Sequence, residues 1–256
     1  MDKLVSIIIP NFNYGKYVAD CIISCLYQTY KPIQVIIYDD CSTDNSVEVI
    51  KKYICNVNPI ALILGSENRG VAHARNEAIL KSSGEYIAVC DADDMLTPNS
   101  IKSRVDFLER YPKVGMVWGH AKKINVDRGN AEWSYAKCME KFDKLETYSR
   151  WMNNGTMMWR REVFNKFGLY YEGLRSKEDK EFTTRVGIHK DSPFPHMVVA
   201  RKIDDFIMIY RRHPGSKHKQ RMADSTWAKE TDAIFDKRIR HLAVEGITKE
   251  NTRFPA

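Results

Sequence analysis

Tyr86-Ile87-Ala88-Val89-Cys90-Asp91-Ala92-Asp93-Asp94 decides how this chain is read. Residues 86–90 form an uncharged, largely apolar run, which predicts a buried strand. The run ends in acids, so the carboxylates fall at the strand's carboxyl end, where open α/β sheets hold their ligands. Asp91 and Asp93, one residue apart, can share a hard divalent cation such as Mg²⁺ or Mn²⁺. Such a cation can bridge a diphosphate and stabilise it as a leaving group. The pattern is short, and a polar loop capping the next helix would look the same.

The same alternation extends outward. Residues 5–9 form a compact apolar run closed by Pro10, as a buried strand would be. Val18, Cys21, Ile22, Cys25 and Leu26 recur at helical spacing. Residues 35–38 predict a second strand, broken by Asp39-Asp40-Cys41-Ser42. Thr43 and Asp44 offer N-caps for a helix carrying Val47, Ile50 and Ile54. Residues 61–64 predict a third strand, and Val71, Ala74, Ala78 and Ile79 a further helix. Thr97-Pro98 reads as an N-cap with proline at the first helical position, opening a helix striped by Ile101, Val105 and Leu108. This succession predicts an α/β fold with a mostly parallel, Rossmann-like sheet and helices on both faces.

Residues 114–118 are expected to continue the sheet, after which the pattern loosens. Residues 121–150 read as extended segments and loops. A short strand over 157–159, a short helix over 162–167, a helix over 179–186 and a last strand over 206–210 follow. A tail carries Trp227, Ile234, Phe235, Ile239 and Leu242 at helical spacing. Its apolar stripe is expected to pack on the domain; dimerisation and a membrane surface are the alternatives. Trp133, Trp151 and Trp159 could stack on sugar rings, with core packing expected for at least two.

Composition narrows the class. The 256 residues are 43% hydrophobic and 29% charged, as in soluble globular proteins. No apolar run approaches the roughly 20 residues of a membrane span, and the first apolar stretch is too short for a signal peptide, so a cytoplasmic location is expected. Six cysteines without a CxxC pair read as buried free thiols rather than disulfides. The net charge of +7 is uneven, with 12 basic and 14 acidic residues in 1–120 and 28 basic and 19 acidic in the remainder. The basic half could meet phosphates, an anionic acceptor or, peripherally, an anionic membrane; an ordinary solvated face is the plainer reading. No helix-turn-helix, zinc-finger or RNP pattern points to nucleic acid, and no GxxxxGK[ST] points to a P-loop.

Several side chains carry candidate chemistry. Asp39 and Asp40 end the second predicted strand as Asp91 ends the fourth, so two acidic clusters converge on one cleft. A carboxylate there can accept hydrogen bonds from a base N–H or ribose hydroxyls. Pro10, Phe12, Asn13 and Tyr14 follow the first strand and could hold a planar base, although NFNYG has turn chemistry of its own. Arg69 and Arg75 put two cations around Gly70 near a helix start, suited to diphosphate or to surface ion pairs. Asp179, after Glu178, could be a general base or a cap with a favourable dipole. His213, in RRHPGSKH, could bind a metal ion or simply be solvated.

Taken together, VSIIIPNFNYGKYVADCIISCLYQTY, IIYDDCSTDNS, ENRGVAHARNEAI, SSGEYIAVCDADDMLTPNSI, the SKED segment and YRRHPGSKH resemble the family 2 glycosyltransferases of GT-A fold. These segments span about residues 4–216. The resemblance implies an inverting, metal-dependent transferase that moves a sugar from a nucleotide-sugar, a UDP-sugar first of all, to a saccharide or glycolipid acceptor. Pro10, Phe12, Asn13, Asp39 and Asp40 would form the nucleotide pocket, with Asp40 at the uracil. Arg69, Gly70 and Arg75 would flank the donor. Asp91, Ala92 and Asp93 would be the DxD motif, with Asp93 the direct ligand of Mn²⁺ or Mg²⁺. Asp179 would be the catalytic base, and His213 would belong to a loop closing over the diphosphate and its ion.

The resemblance also divides the chain into a GT-A domain over 1–216 and a helical extension over 217–256. Within the domain, 1–120 would be the nucleotide-sugar-binding half and 121–216 the acceptor-side half. One departure is Glu77-Ala78 where many members read xG. A binding protein with a decayed active site is the alternative, disfavoured because every expected carboxylate is present. A glycoside hydrolase would use two carboxylates and no DxD metal site.

Overall fold

In the first strand, Val5, Ile7 and Ile9 enter one hydrophobic core and Ile8 enters another. Alternation with both sides apolar requires a sheet covered on both faces. The computed structural model, which describes residues 2–55, 59–126, 133–148, 154–215 and 225–247, has that architecture. β1 (Val5–Asn11), β2 (Ile33–Asp39), β3 (Ile60–Leu64) and β4 (Tyr86–Val89) are parallel and ordered β3-β2-β1-β4. The chain first winds outward from β1 through β2 to β3, then returns to β4 on the other side of β1. That reversal is a topological switch point, where side chains at strand ends can flank a crevice.

One face is covered by α1 (Val18–Leu26), α2 (Ser46–Lys51) and α4 (Ser100–Arg110), through Cys21, Ile50 and Val105 among others. The other is covered by α3 (Val71–Lys81), α6 (Arg161–Phe167) and α7 (Glu178–Arg185), through Ala78, Phe164 and Phe182. Trp159 is fully buried there, its ring 5.0 Å from Phe182 and 5.9 Å from Phe164. It is a core residue, as expected for most of the tryptophans. Trp133 packs partly buried against a third, smaller core, and Trp151 lies outside the described residues.

The second half of the sheet is mixed. β8 (Met157–Arg160) is antiparallel to β4, β6 (Val114–Asn125) is antiparallel to β8, and β9 (Val199–Arg212) is parallel to β6. The region expected to be loops holds more structure. β6 reaches Asn125, α5 (Tyr135–Glu140) follows, and β7 (Glu146–Tyr148) pairs with β6. The lysines that broke the apolar pattern are accommodated by geometry. Lys122 lays its chain over Phe206, 4.5 Å from the ring centroid, and donates to the Leu145 carbonyl.

Two helix starts also differ. Thr97 does not cap α4; its hydroxyl donates to the Phe206 carbonyl at 2.7 Å, and α4 starts after Asn99. The cause is β5 (Met95–Leu96), a two-residue strand that pairs with β9 and draws Thr97 toward it. α2 starts after Asn45; of the two expected caps, Asp44 accepts from the Ser46 amide at 2.9 Å, while the Thr43 amide donates to Asn13.

The tail helix, α8 (Ser225–Glu245), buries Phe235 and Leu242. It packs on α7 through a Lys177–Asp232 ion pair and through Arg238, whose Nε lies 3.5 Å from Glu181 Oε1. Among the described residues, no helix is long and apolar enough to cross a membrane. All six cysteines are free; four are buried, Cys41 is partly exposed and Cys55 is exposed.

Candidate active site

The strand ends deliver the acids, and local hydrogen bonds set which of them remain available. Asn11 and Asp39 face each other in register, and Asn11 Nδ2 donates to Asp39 Oδ2 at 2.6 Å. Asp39 also accepts from the Ser42 amide and hydroxyl, both at 2.8 Å. Its charge is thus spent shaping the loop after β2. Asn13 does the same from the other side. It sits at φ 57°, a left-handed conformation asparagine tolerates, and its Oδ1 accepts from the Thr43 and Asp44 amides.

Asp40 accepts from the Arg69 amide at 3.0 Å and the Gly70 amide at 2.7 Å. Gly70 has φ 91°, which a side chain would strain, and this turn opens α3. A carboxylate has about four lone-pair sites, so Asp40 retains acceptor capacity. Phe12 is exposed at the rim and Pro10 is buried in β1.

Arg75 organises the centre. Buried on α3, it donates through Nη2 to Asp91 Oδ1 at 2.6 Å and through Nη1 to Glu178 Oε1. Burial alone would lower its pKa, but the charges of Asp91 and Glu178 raise it above the ordinary arginine value. The sequence offered Arg75 as a cation for the donor diphosphate. In the fold Nη1 and Nη2 each meet a carboxylate, joining the end of β4 to the start of α7. Glu178, beside the expected base in sequence, thus accepts from Arg75. The adjacent acids in SKED were the available signal.

Asp179 follows Glu178 in the first turn of α7, which opens one residue before the helix expected over 179–186. Its pKa is pushed up to about 7, chiefly by burial and then by the charge of Glu178, with Arg75 opposing. The charge of Asp91 acts on it as well, so the acids of β4 and α7 share one neighbourhood. Glu172, also missed, frames this cleft. It accepts from Asn76 at 2.9 Å and meets His73 at 3.0 Å and Arg69 at 3.4 Å.

Asp93 turns the other way. His213 Nε2 lies 3.0 Å from Asp93 Oδ2, and the imidazole packs 4.7 Å from the Tyr17 ring and 5.9 Å from Tyr14. Asp94 is buried and accepts from the Arg211 amide at 2.8 Å. Its pKa is well above the carboxylate range because of burial and the charges of Asp93 and Asp91. The same acids add to burial in raising the Tyr14 phenol. Crowded carboxylates of this kind leave a local excess of negative charge.

The donor set fits a hard divalent cation. The Asp93 oxygen suits Mn²⁺ or Mg²⁺, ions bound by few protein ligands and completed by phosphate oxygens and water, and the His213 nitrogen adds a ligand that the transition ion Mn²⁺ accepts better than Mg²⁺. Asp91, expected from sequence as a further metal ligand, has Oδ1 taken by Arg75. The structure thus divides the DxD pair, one acid toward α7 and one toward His213.

A sheet reversing at β1, with acids lining its carboxyl edge, has the GT-A fold. The chain belongs to glycosyl transferase family 2, whose model matches residues 6–168, and it is a glycosyltransferase. It is 26% identical over a 261-residue alignment to Glycosyltransferase GlyG of Streptococcus pneumoniae, covering 96% of this chain and 83% of that protein. It is 36% identical over 124 residues to a chondroitin synthase of Pasteurella multocida, covering 48% of this chain and 13% of that protein. Among solved structures, Staphylococcus aureus TarS 1–349 in complex with UDP matches with TM-score 0.62 at 22% identity, covering 82% of this chain and 61% of that chain. Mannosyltransferase PcManGT from Pyrobaculum calidifontis, in complex with GDP-Man and Mn²⁺, matches with TM-score 0.60 at 19% identity, covering 82% and 57%. At such identities the likeness speaks for the fold.

Proposed function

We propose that this glycosyltransferase moves a sugar from a UDP-sugar to a hydroxyl of a saccharide acceptor, with inversion and with a divalent cation. The observation that carries this reading is the Asp91–Arg75–Glu178 bridge. It links the acidic strand end to the helix bearing Asp179, so that base and donor site belong to one rigid unit. The TarS complexes with UDP and UDP-GlcNAc support the donor class, and the synthase relatives support a saccharide acceptor.

In this reading Asp40 and Phe12 hold the base, within a pocket shaped by Pro10, Asn13 and Asp39. Arg69 and Gly70 flank the donor, and Ala92 lets the backbone pass close to it. Asp93 and His213 hold the cation. When bound, the cation neutralises charge growing on the diphosphate as it leaves. Asp179 takes the proton from the acceptor hydroxyl while that oxygen attacks the anomeric carbon, on the face opposite the departing diphosphate. One direct displacement inverts the centre. Residues 121–216 supply the acceptor side and 1–120 the donor side, and within the extension over 217–256 α8 braces α7.

The test is a thermal-shift panel of nucleotide-sugars with and without Mn²⁺. A UDP-sugar with Mn²⁺ should stabilise the fold by about 2.7 kcal/mol at a hundredfold excess over Kd. Asp93→Ala should lose the part that depends on Mn²⁺. Equal stabilisation with and without the ion in the unmodified chain would overturn the metal assignment, and preference for a GDP-sugar would overturn the donor. Donor hydrolysis that depends on Mn²⁺ would separate this enzyme from a protein that only binds the nucleotide.

A further inference from the structure

Cys21 and Cys25 lie one helical turn apart on α1 and face the sheet, where Cys90 follows β4 directly before Asp91. All three are fully buried. Their sulfurs lie within 4.8 Å of one another, with Cys21 Sγ 3.4 Å from Cys90 Sγ. An ion about 2.3 Å from each of three thiolates needs sulfurs about 4.0 Å apart, which the 3.4 Å Cys21–Cys90 separation approaches and the 4.8 Å limit on all three allows. Thiolate sulfur selects zinc and softer ions over Mg²⁺ or Mn²⁺.

A second observation points the same way. Arg104, on α4, is fully buried, and the hydrogen bonds it makes go to neutral groups. Nε donates to the Ser100 carbonyl at 3.0 Å, Nη1 to the Met157 carbonyl at 3.1 Å and Nη2 to the Ser100 hydroxyl at 2.7 Å. A buried guanidinium without a carboxylate is costly. The groups within its electrostatic reach are Cys90 and Cys25. Three thiolates around a divalent ion carry a net charge of −1, which would balance this arginine.

We propose that Cys21, Cys25 and Cys90 form a three-coordinate site for a thiophilic divalent cation, Zn²⁺ or its softer analogue Cd²⁺, behind the donor cleft. Binding forms three metal–sulfur bonds, and each ligand that starts as a thiol gives up its S–H proton to solvent, up to three in all. The site is separate from the Asp93–His213 pair, which favours harder ions, and it does not rest on the transferase reading.

The probe is Cd²⁺, titrated into the reduced, metal-free full chain carrying C41S and C55S, which removes the two more accessible thiols. The expected result is an ultraviolet thiolate-to-cadmium band saturating at one equivalent, with protons released into weak buffer as it forms. Excess Mn²⁺ leaves the band unchanged. Cys25→Ser in this background removes the one-equivalent band. Arg104→Gln weakens binding 10- to 100-fold, as loss of an outer-shell partner does. No saturating band, no proton release, or displacement by Mn²⁺ overturns the site, as does a band that survives Cys25→Ser. If Cys25→Ser loses its circular dichroism signal, the band and proton release in the C41S/C55S chain decide alone.

Discussion

Replacing Asp179 by Asn is expected to slow turnover roughly 10²- to 10⁴-fold, the usual contribution of a positioned general base. Donor affinity in Mn²⁺ should stay within about twofold, since Asp179 is proposed to touch the acceptor. The amide keeps the size and removes only the proton acceptor. The unmodified enzyme should lose activity as pH falls through about 7, where burial and Glu178 hold this carboxyl, because a protonated acid cannot take the acceptor proton. The sign for stability is opposite to that of a typical surface acid. The folded-state value lies above the ordinary 3.8, so the stability drawn from this proton is complete below about 4 and is lost as pH rises through about 7. Near-normal turnover in Asp179→Asn, or an acid limb centred near pH 4, would refute the assignment.

The largest stability effect is expected at Arg75. Arg75→Met removes the cation between Asp91 and Glu178 and leaves buried carboxylate charge uncompensated. Breaking a buried pair in this way costs about 3–5 kcal/mol, a fall in Tm of roughly 10 °C for a domain of this size. Arg75→Lys should recover only part of this, because an ammonium lacks the fork that reaches both acids. In variants that fold, the acid limb should move to higher pH, since Arg75 opposes the upward shift of Asp179. Calorimetry showing a Tm within 2 °C of the parent would mean that the bridge carries no such energy.

Much of the fold could be read from pattern because it follows from local chemistry. Apolar runs bounded by acids, prolines and glycines gave β1, β2 and β4, and residues at helical spacing gave α1, α3 and α4. β5 escaped notice because two residues carry no period. The far end of β6 was hidden by lysines whose charges are reconciled only when Phe206 and Leu145 arrive from distant strands.

The candidate site divides along the same line. That acids would line the edge of a parallel sheet was legible at Asp39, Asp40, Asp91 and Asp93, since strand ends and residue types are local properties. Which acids stay available was not. Asp39 is spent on Asn11 and Ser42, Asp91 on Arg75, and Asp93 meets a histidine 120 residues away. Sequence by itself determined the alternation of strands and helices in the parallel half of the sheet and the place of the carboxylates, because backbone period and side-chain chemistry act over a few residues. Only tertiary structure decided their pairing and the raised pKa of Asp179, because charge and burial act through space between segments that the chain order keeps apart.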